Sequence, residues 1–226
     1  MKNIPNDTIF NSPFRGLGGR LGIKICGMKH PENIQSVAAL QPDFMGFIFY
    51  PKSPRYAEPL DVENLQSLPK TIRKIGVFVN EDLEDILTVV YKYKLDGVQL
   101  HGAENADICQ KLKEAGLIVM KAFPIAEAYN FRVTKKYEGA CDYFLFDTKT
   151  ESHGGSGVKF DWQMLDEYTG ETLFLLSGGI AADDVEAILE IEHPKFAGID
   201  LNSKFEVKPG LKNVELLDVF LKQLRG

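Results

Sequence analysis

Eight short runs of aliphatic, aromatic and β-branched residues punctuate the chain, one roughly every 25 residues. They are LGIKIC (21–26), DFMGFIF (43–49), TIRKIGVFV (71–79), GVQLH (97–101), LIVMKAF (117–123), DYFLFD (142–147), TLFLLS (172–177) and FAGIDL (196–201). Each interval holds one strand, one helix and two short loops. Between the runs the helical period is legible: Leu83, Ile86, Leu87 and Val90 share one face, as do Leu217, Phe220, Leu221 and Leu224. Weaker versions occur around Ile34, Leu65, Ile108 and Val185, and 126–137 is the least regular. Strict strand-helix alternation demands a parallel sheet, because each crossover helix returns the chain to the same end. Eight such units can close on themselves, so a single-domain α/β fold, a compact (β/α)8 TIM barrel over 21–226, is expected. The open doubly wound sheet is disfavoured, since the first run leads into CGMKHPEN rather than a GxGxxG turn.

The first 20 residues are rich in Asn, Pro and Gly and follow neither period, which predicts a short mobile N-terminal arm. With 26 basic and 32 acidic residues, the net charge of -6 argues against a nucleic-acid or anionic-membrane partner. No apolar stretch approaches the roughly 18 residues of a membrane span, and no signal-peptide pattern opens the chain, so a cytoplasmic protein is expected. Cys26, Cys109 and Cys141 are scattered, with no CxxC pair, and the four histidines show no HxxxH spacing. Neither a disulfide framework nor a metal site is predicted.

In such a barrel the reactive groups gather where strands end, so the final residue of each run is read first. Those positions supply Cys26, Asn80, His101, Asp147, Ser177 and Asp200. A strand end is often polar merely because it meets water. Cys26, however, is followed by Gly27, which admits a ligand close to the backbone, and shares its face with Lys24, which favours a thiolate. Such a thiolate can be nucleophile or general base. Asp147 closes an aromatic and aliphatic run; a carboxyl there can be paired, accept backbone hydrogen bonds, or hold a proton for a leaving oxygen. His101 reads best as a pocket hydrogen bonder, with Gln99 below it on the same face.

Three small-residue loops follow the last three runs: one with Gly155, Ser156 and Gly157, one with Gly178 and Gly179, and one with Asn202 and Ser203. Singly they are turn glycines. Together they sit where barrels of this kind bind phosphate through backbone N–H groups, so a small phosphorylated molecule is the expected partner. After the second run, YPKSPRY (50–56) presents Arg55 between Pro54 and Tyr56, suited to a bidentate contact with a ligand carboxylate.

Taken in order, KICG (24–27), GFIFYPKSPRY (46–56), GVFVN (76–80), VQLHG (98–102), the Asp-Thr at 147–148, GGSG with KFDW (154–162), LSGG (176–179) and GIDLNS (198–203) closely resemble the phosphoribosylanthranilate isomerase family of tryptophan biosynthesis. The resemblance covers 23 to about 213 and leaves only the fifth barrel unit without a motif. It implies a cofactor-free Amadori rearrangement of N-(5'-phosphoribosyl)anthranilate to 1-(o-carboxyphenylamino)-1-deoxyribulose 5-phosphate. It further implies Cys26 as general base, Asp147 as general acid, Arg55 at the anthranilate carboxylate, and His101 and Asp200 lining the pocket. The phosphate would fall to the three loops, with no metal. One departure is Lys204, where the family commonly has glycine; it either adds a phosphate contact or points to solvent. Ser156 replaces a threonine and keeps its hydroxyl. The alternative reading is a non-catalytic phosphosugar-binding barrel, against which the retained Cys26 and Asp147 speak. Indole-glycerol phosphate synthase, on the same scaffold, would need a lysine and glutamate set that this pair does not provide. Monomer and homodimer both remain open.

Overall fold

The computed structural model describes residues 20–126, 128–148 and 159–226. All eight runs become parallel strands: β1 Gly22–Ile25, β2 Phe44–Ile48, β3 Arg73–Phe78, β4 Gly97–Leu100, β5 Ile118–Ile125, β6 Tyr143–Thr148, β7 Leu173–Leu176 and β8 Phe196–Leu201. They pair in sequence order, and β8 returns to β1 with Gly22 opposite Gly198 and Lys24 opposite Asp200. The predicted (β/α)8 barrel is therefore closed, with no free strand edge. Of the predicted arm, residues 1–19 lie outside the described residues.

The helical connectors are α1 Pro31–Ala38, α2 Val62–Gln66, α3 Leu83–Tyr93, α4 Ala106–Glu114, α5 Val185–Leu189 and α6 Val214–Arg225. Their starts follow local chemistry. Pro31 opens α1, where its missing N–H costs nothing, and the Asn105 and Asn213 side chains accept from Ile108 N and Leu216 N to cap α4 and α6. The apolar stripe of α6, Leu217, Phe220, Leu221 and Leu224, is buried as its spacing predicts.

After β5 and β6 the described residues of the connectors hold short 3-10 segments, Phe131–Tyr137 and Trp162–Glu167. This accounts for the weak period over 126–137. Aromatic rings cluster beside them: Phe146 meets Phe174 at 4.9 Å and Tyr168 at 5.1 Å between centroids, and Phe123 meets Phe144 at 5.1 Å.

Inside the barrel, Phe44, Ile75, Met120, Tyr143, Leu145 and Leu175 form a second buried cluster. Phe44 and Tyr143, from strands on opposite sides, touch edge to face at 5.9 Å across the interior. The lumen is thus a packed core, not a pore. A small antiparallel hairpin, β9 Glu206–Lys208 with β10 Leu211–Lys212, follows β8 and was not foreseen from the sequence.

Three aspartates repeat one device at the N-terminal end of the barrel. Asp43, Asp96 and Asp142 stand just before β2, β4 and β6, and each accepts a hydrogen bond of 2.8 Å from a backbone N–H of the preceding strand, at Ile23, Lys74 and Val119. Each aspartate's own backbone N–H donates to the carbonyl of that same residue. The paired bonds lock neighbouring strands in register at the closed end.

Candidate active site

Following β1 upward, the inward positions change from Gly22 to Lys24 to Cys26. Lys24 is completely buried, and its Nζ reaches Asp200 Oδ1 at 3.0 Å across the β1–β8 pair. Asp200 completes its contacts with Ser177 Oγ at 3.5 Å. Burial opposes the Lys24 charge, but Asp200 and Cys26 outweigh it and hold the amine above its ordinary value. For Asp200 the balance tips the other way: burial raises its carboxyl despite Lys24.

Cys26 is also buried, and Gly46 on β2 makes room for it: a Cβ at Gly46 would lie 2.7 Å from Cys26 Sγ and 3.2 Å from Lys24 Nζ. Lys24 stabilises the thiolate as expected from the sequence. Burial is the larger effect, however, and the thiol sits above its ordinary value. Lys212 adds a smaller pull in the same direction as Lys24. Gly27 has φ +77, and a Cβ there would fall 2.7 Å from Asn202 Oδ1 and 2.8 Å from Arg55 Cδ, so both conformation and space require glycine.

On the other side of the mouth, Asp147 near the end of β6 lies with Oδ2 3.3 Å from His101 Nε2. Gln99 Nε2 sits 2.8 Å from His101 Nδ1. Gln99 therefore points into the barrel below His101, as the alternation of β4 predicts. Gly178, at φ +88, leaves room for this carboxyl: a Cβ there would come within 2.7 Å of Asp147 Oδ1 and collide with Thr148.

Arg55 is 7% exposed and is engaged: Nε and Nη2 both bond to Glu206, Nη2 to Oε2 at 2.7 Å. Glu206 and its second partner, Lys212, were missed in the sequence because the hairpin that carries them has no periodic signature. Asn202 Oδ1 accepts from Lys212 Nζ at 2.8 Å. Gly179, at φ +71, and Ser203 stand at the same end of the barrel, at the heads of the segments after β7 and β8. Lys204 is exposed. Gly155, Ser156 and Gly157 lie outside the described residues. A groove of about 1230 Å³ occurs elsewhere, on the outer wall beside the 3-10 connectors, lined by Tyr129, Arg132, Glu138 and Tyr168; none of the mouth residues line it.

The closed parallel barrel, with a thiol, two carboxyls and a histidine gathered toward the C-terminal ends of its strands, is that of a (β/α)8-barrel enzyme. A sequence model of N-(5'-phosphoribosyl)anthranilate (PRA) isomerase matches residues 23–223, and the chain belongs to that family. It is 50% identical over 204 residues to the N-(5'-phosphoribosyl)anthranilate isomerase of Parabacteroides distasonis, covering 89% of this chain and 92% of that one. Against the enzyme of Phocaeicola vulgatus it is 46% identical, covering 90% and 97%. Among solved structures, the isomerase of Thermotoga maritima superposes with TM-score 0.75 at 33% identity, covering 91% of this chain and 99% of that one. Another phosphoribosyl anthranilate isomerase structure, at TM-score 0.72, 30% identity and the same coverages, holds reduced 1-(o-carboxyphenylamino)-1-deoxyribulose 5-phosphate. The protein is an isomerase of tryptophan biosynthesis that acts on N-(5'-phosphoribosyl)anthranilate.

Proposed function

We propose that Cys26 is the general base and Asp147 the general acid of this isomerisation. The observation that carries the reading is their placement: both end inward-facing strand positions at the C-terminal mouth, Cys26 against the Lys24 ammonium and Asp147 against His101. Asp147 gives a proton to the ribose ring oxygen as the C1'–O bond breaks, and the anilino nitrogen's lone pair forms a protonated Schiff base at C1'. That cation acidifies the C2' hydrogen. It also adds a positive charge to that of Lys24 near Cys26, which further favours the thiolate as the intermediate forms. Cys26 removes the C2' hydrogen, the electron pair moves into a C1'–C2' enolamine, and protonation at C1' with loss of the O2' proton yields the ketone.

Arg55 receives the anthranilate carboxylate, His101 and Asp200 line the pocket, and the phosphate lies against Gly178, Gly179, Asn202 and Ser203; Gly155, Ser156 and Gly157, the third expected phosphate loop, lie outside the described residues. Backbone N–H groups suit that task in an acidic protein, since they bind an anion without a basic patch. The partner is a small phosphorylated molecule, with no part for nucleic acid or a membrane; among the described residues no helix is long and apolar enough to cross one. We place the protein in the cytoplasm, as monomer or homodimer; the Thermotoga maritima relative is described as dimeric.

The test is turnover of N-(5'-phosphoribosyl)anthranilate, formed in situ and followed by its fluorescence, in wild type, Cys26→Ala and Asp147→Asn. Both variants lose turnover and keep affinity for a reduced product analogue. Retained turnover in either one would remove that residue from its role.

A further inference from the structure

Arg55 does not stand alone at the edge of the mouth. Its Nε donates to both oxygens of Glu206 at 3.0 Å and its Nη2 to Oε2 at 2.7 Å. One side of the guanidinium is thereby closed by a carboxylate that is itself only 4% exposed. A guanidinium has a second double-donor edge, Nη1 with Nη2, which matches another carboxylate. Among the described residues nothing bonds to Nη1.

Glu206 is pinned in turn. Its Oε1 accepts from Lys212 Nζ at 2.8 Å and from Gly210 N at 3.1 Å. Lys212, fully buried at its side chain, also reaches Asn202 O at 3.3 Å and Oδ1 at 2.8 Å. Its backbone is clamped to α1 by two hydrogen bonds with the Asn33 side chain, of 2.7 and 2.9 Å. Burial works against the Glu206 charge, yet Arg55 and Lys212 hold its carboxyl below the ordinary range, so it stays ionised at neutral pH. Burial pulls the Lys212 amine down, and Glu206 opposes that. The cluster lies beside Gly27, where Arg55 Cδ and Asn202 Oδ1 fill the space a Cβ would need, one residue from Cys26.

We propose that Glu206 is a positioning residue that sets specificity for the substrate's aryl carboxylate. It occupies the Nε–Nη2 side of Arg55, leaves the Nη1–Nη2 edge as the bidentate donor presented to the ligand, and fixes that edge in one orientation. Through Lys212 and Asn202 it ties the carboxylate-binding end of the pocket to the loop at its phosphate end. The inference rests on the reading of Arg55 as the carboxylate's partner.

The experiment compares N-(5'-phosphoribosyl)anthranilate with N-(5'-phosphoribosyl)aniline, which lacks the carboxylate, in wild type, Glu206→Gln, Glu206→Asp and Arg55→Met. Glu206→Gln raises KM for the carboxylated substrate about tenfold or more, the scale of a weakened charged hydrogen bond. Its kcat stays within about threefold, and its kinetics on the aniline analogue match wild type. Glu206→Asp keeps the charge facing Lys212 but is one methylene short of the Arg55 fork; it gives a smaller rise in KM, and it replaces the Gln variant if thermal melting shows that one unfolded. Arg55→Met loses the discrimination between the two substrates. If both Glu206 variants slow the two substrates equally, or leave KM unchanged, while Arg55→Met discriminates, Glu206 is structural only and the proposal falls with Arg55's role intact. If Arg55→Met also weakens both substrates alike, the Arg55 reading fails, and this inference with it.

Discussion

The two ends of the barrel put aspartate to opposite uses. At the N-terminal end, Asp43, Asp96 and Asp142 accept backbone N–H groups and are neutralised by Arg20, Lys74 and Lys113, with side chains 11% to 33% exposed. There the carboxylate meets donors that any folded barrel presents, and its effect is on strand register. At the C-terminal end, Asp200 faces a lysine with no access to water, and Asp147 faces a histidine at an open rim. The charge there is held away from solvent or left available to a ligand. The difference separates stability from chemistry along one sheet, and a series of substitutions can break or sharpen it.

The largest effects belong to the open rim. Cys26→Ala and Asp147→Asn each lower kcat by about 10²–10⁴-fold, the usual range for a lost general base or acid, with unfolding midpoints little changed. A stability loss matching the loss of rate would erase the contrast. Next comes the buried pair: Asp200→Ala strands the Lys24 ammonium and costs about 3–5 kcal/mol in urea unfolding. Lys24→Met combined with Asp200→Leu recovers most of that loss but not activity; a double variant no more stable than Asp200→Ala would show that charge burial is not what the pair controls.

The pH profile sharpens the same point. Because burial raises the Cys26 thiol and the base must be deprotonated, kcat/KM rises with pH and is still rising at the ordinary thiol value. Lys24→Met removes the neighbour that favours the thiolate and moves that limb to higher pH; an unmoved limb would separate Lys24 from the base. Smallest is the register device. Asp96→Ala costs about 1 kcal/mol, one hydrogen bond's worth, and leaves kcat as in wild type. A tenfold fall in kcat would mean that the closed end reaches the chemistry.

Much of this was legible in the chain because strands and helices write their periods directly. Each of the eight runs lies on a strand, and Leu83 to Val90 and Leu217 to Leu224 lie on α3 and α6. The strand ends pointed to Cys26, Asn80, His101, Asp147, Ser177 and Asp200, and all six stand at the C-terminal ends of their strands, although Asn80 Oδ1 is taken up by Ala103 N at 2.6 Å in the loop after β4. The 3-10 connectors were not legible, since segments of seven and six residues are too short to show a period and their aromatic packing comes from the strands. Glu206 and Lys212 escaped for a similar reason: a charged residue in a short hairpin looks solvated until the fold lays it over Arg55. The sense of the Lys24 effect on Cys26 was readable, but its size against burial was not.

The sequence by itself determined the architecture and the identities of the groups at the mouth. Alternation and spacing are local properties, and a closed parallel barrel turns the last inward residue of every strand toward one rim whatever the loops do. Only the tertiary structure decided which charges are dry and which partners they have: Lys24 with Asp200, 176 residues apart, and Arg55 with Glu206, 151 apart. Pairings over such distances follow from barrel closure, which brings β8 beside β1. Burial, which sets the protonation of Cys26, is a property of everything packed around a residue and of no segment alone.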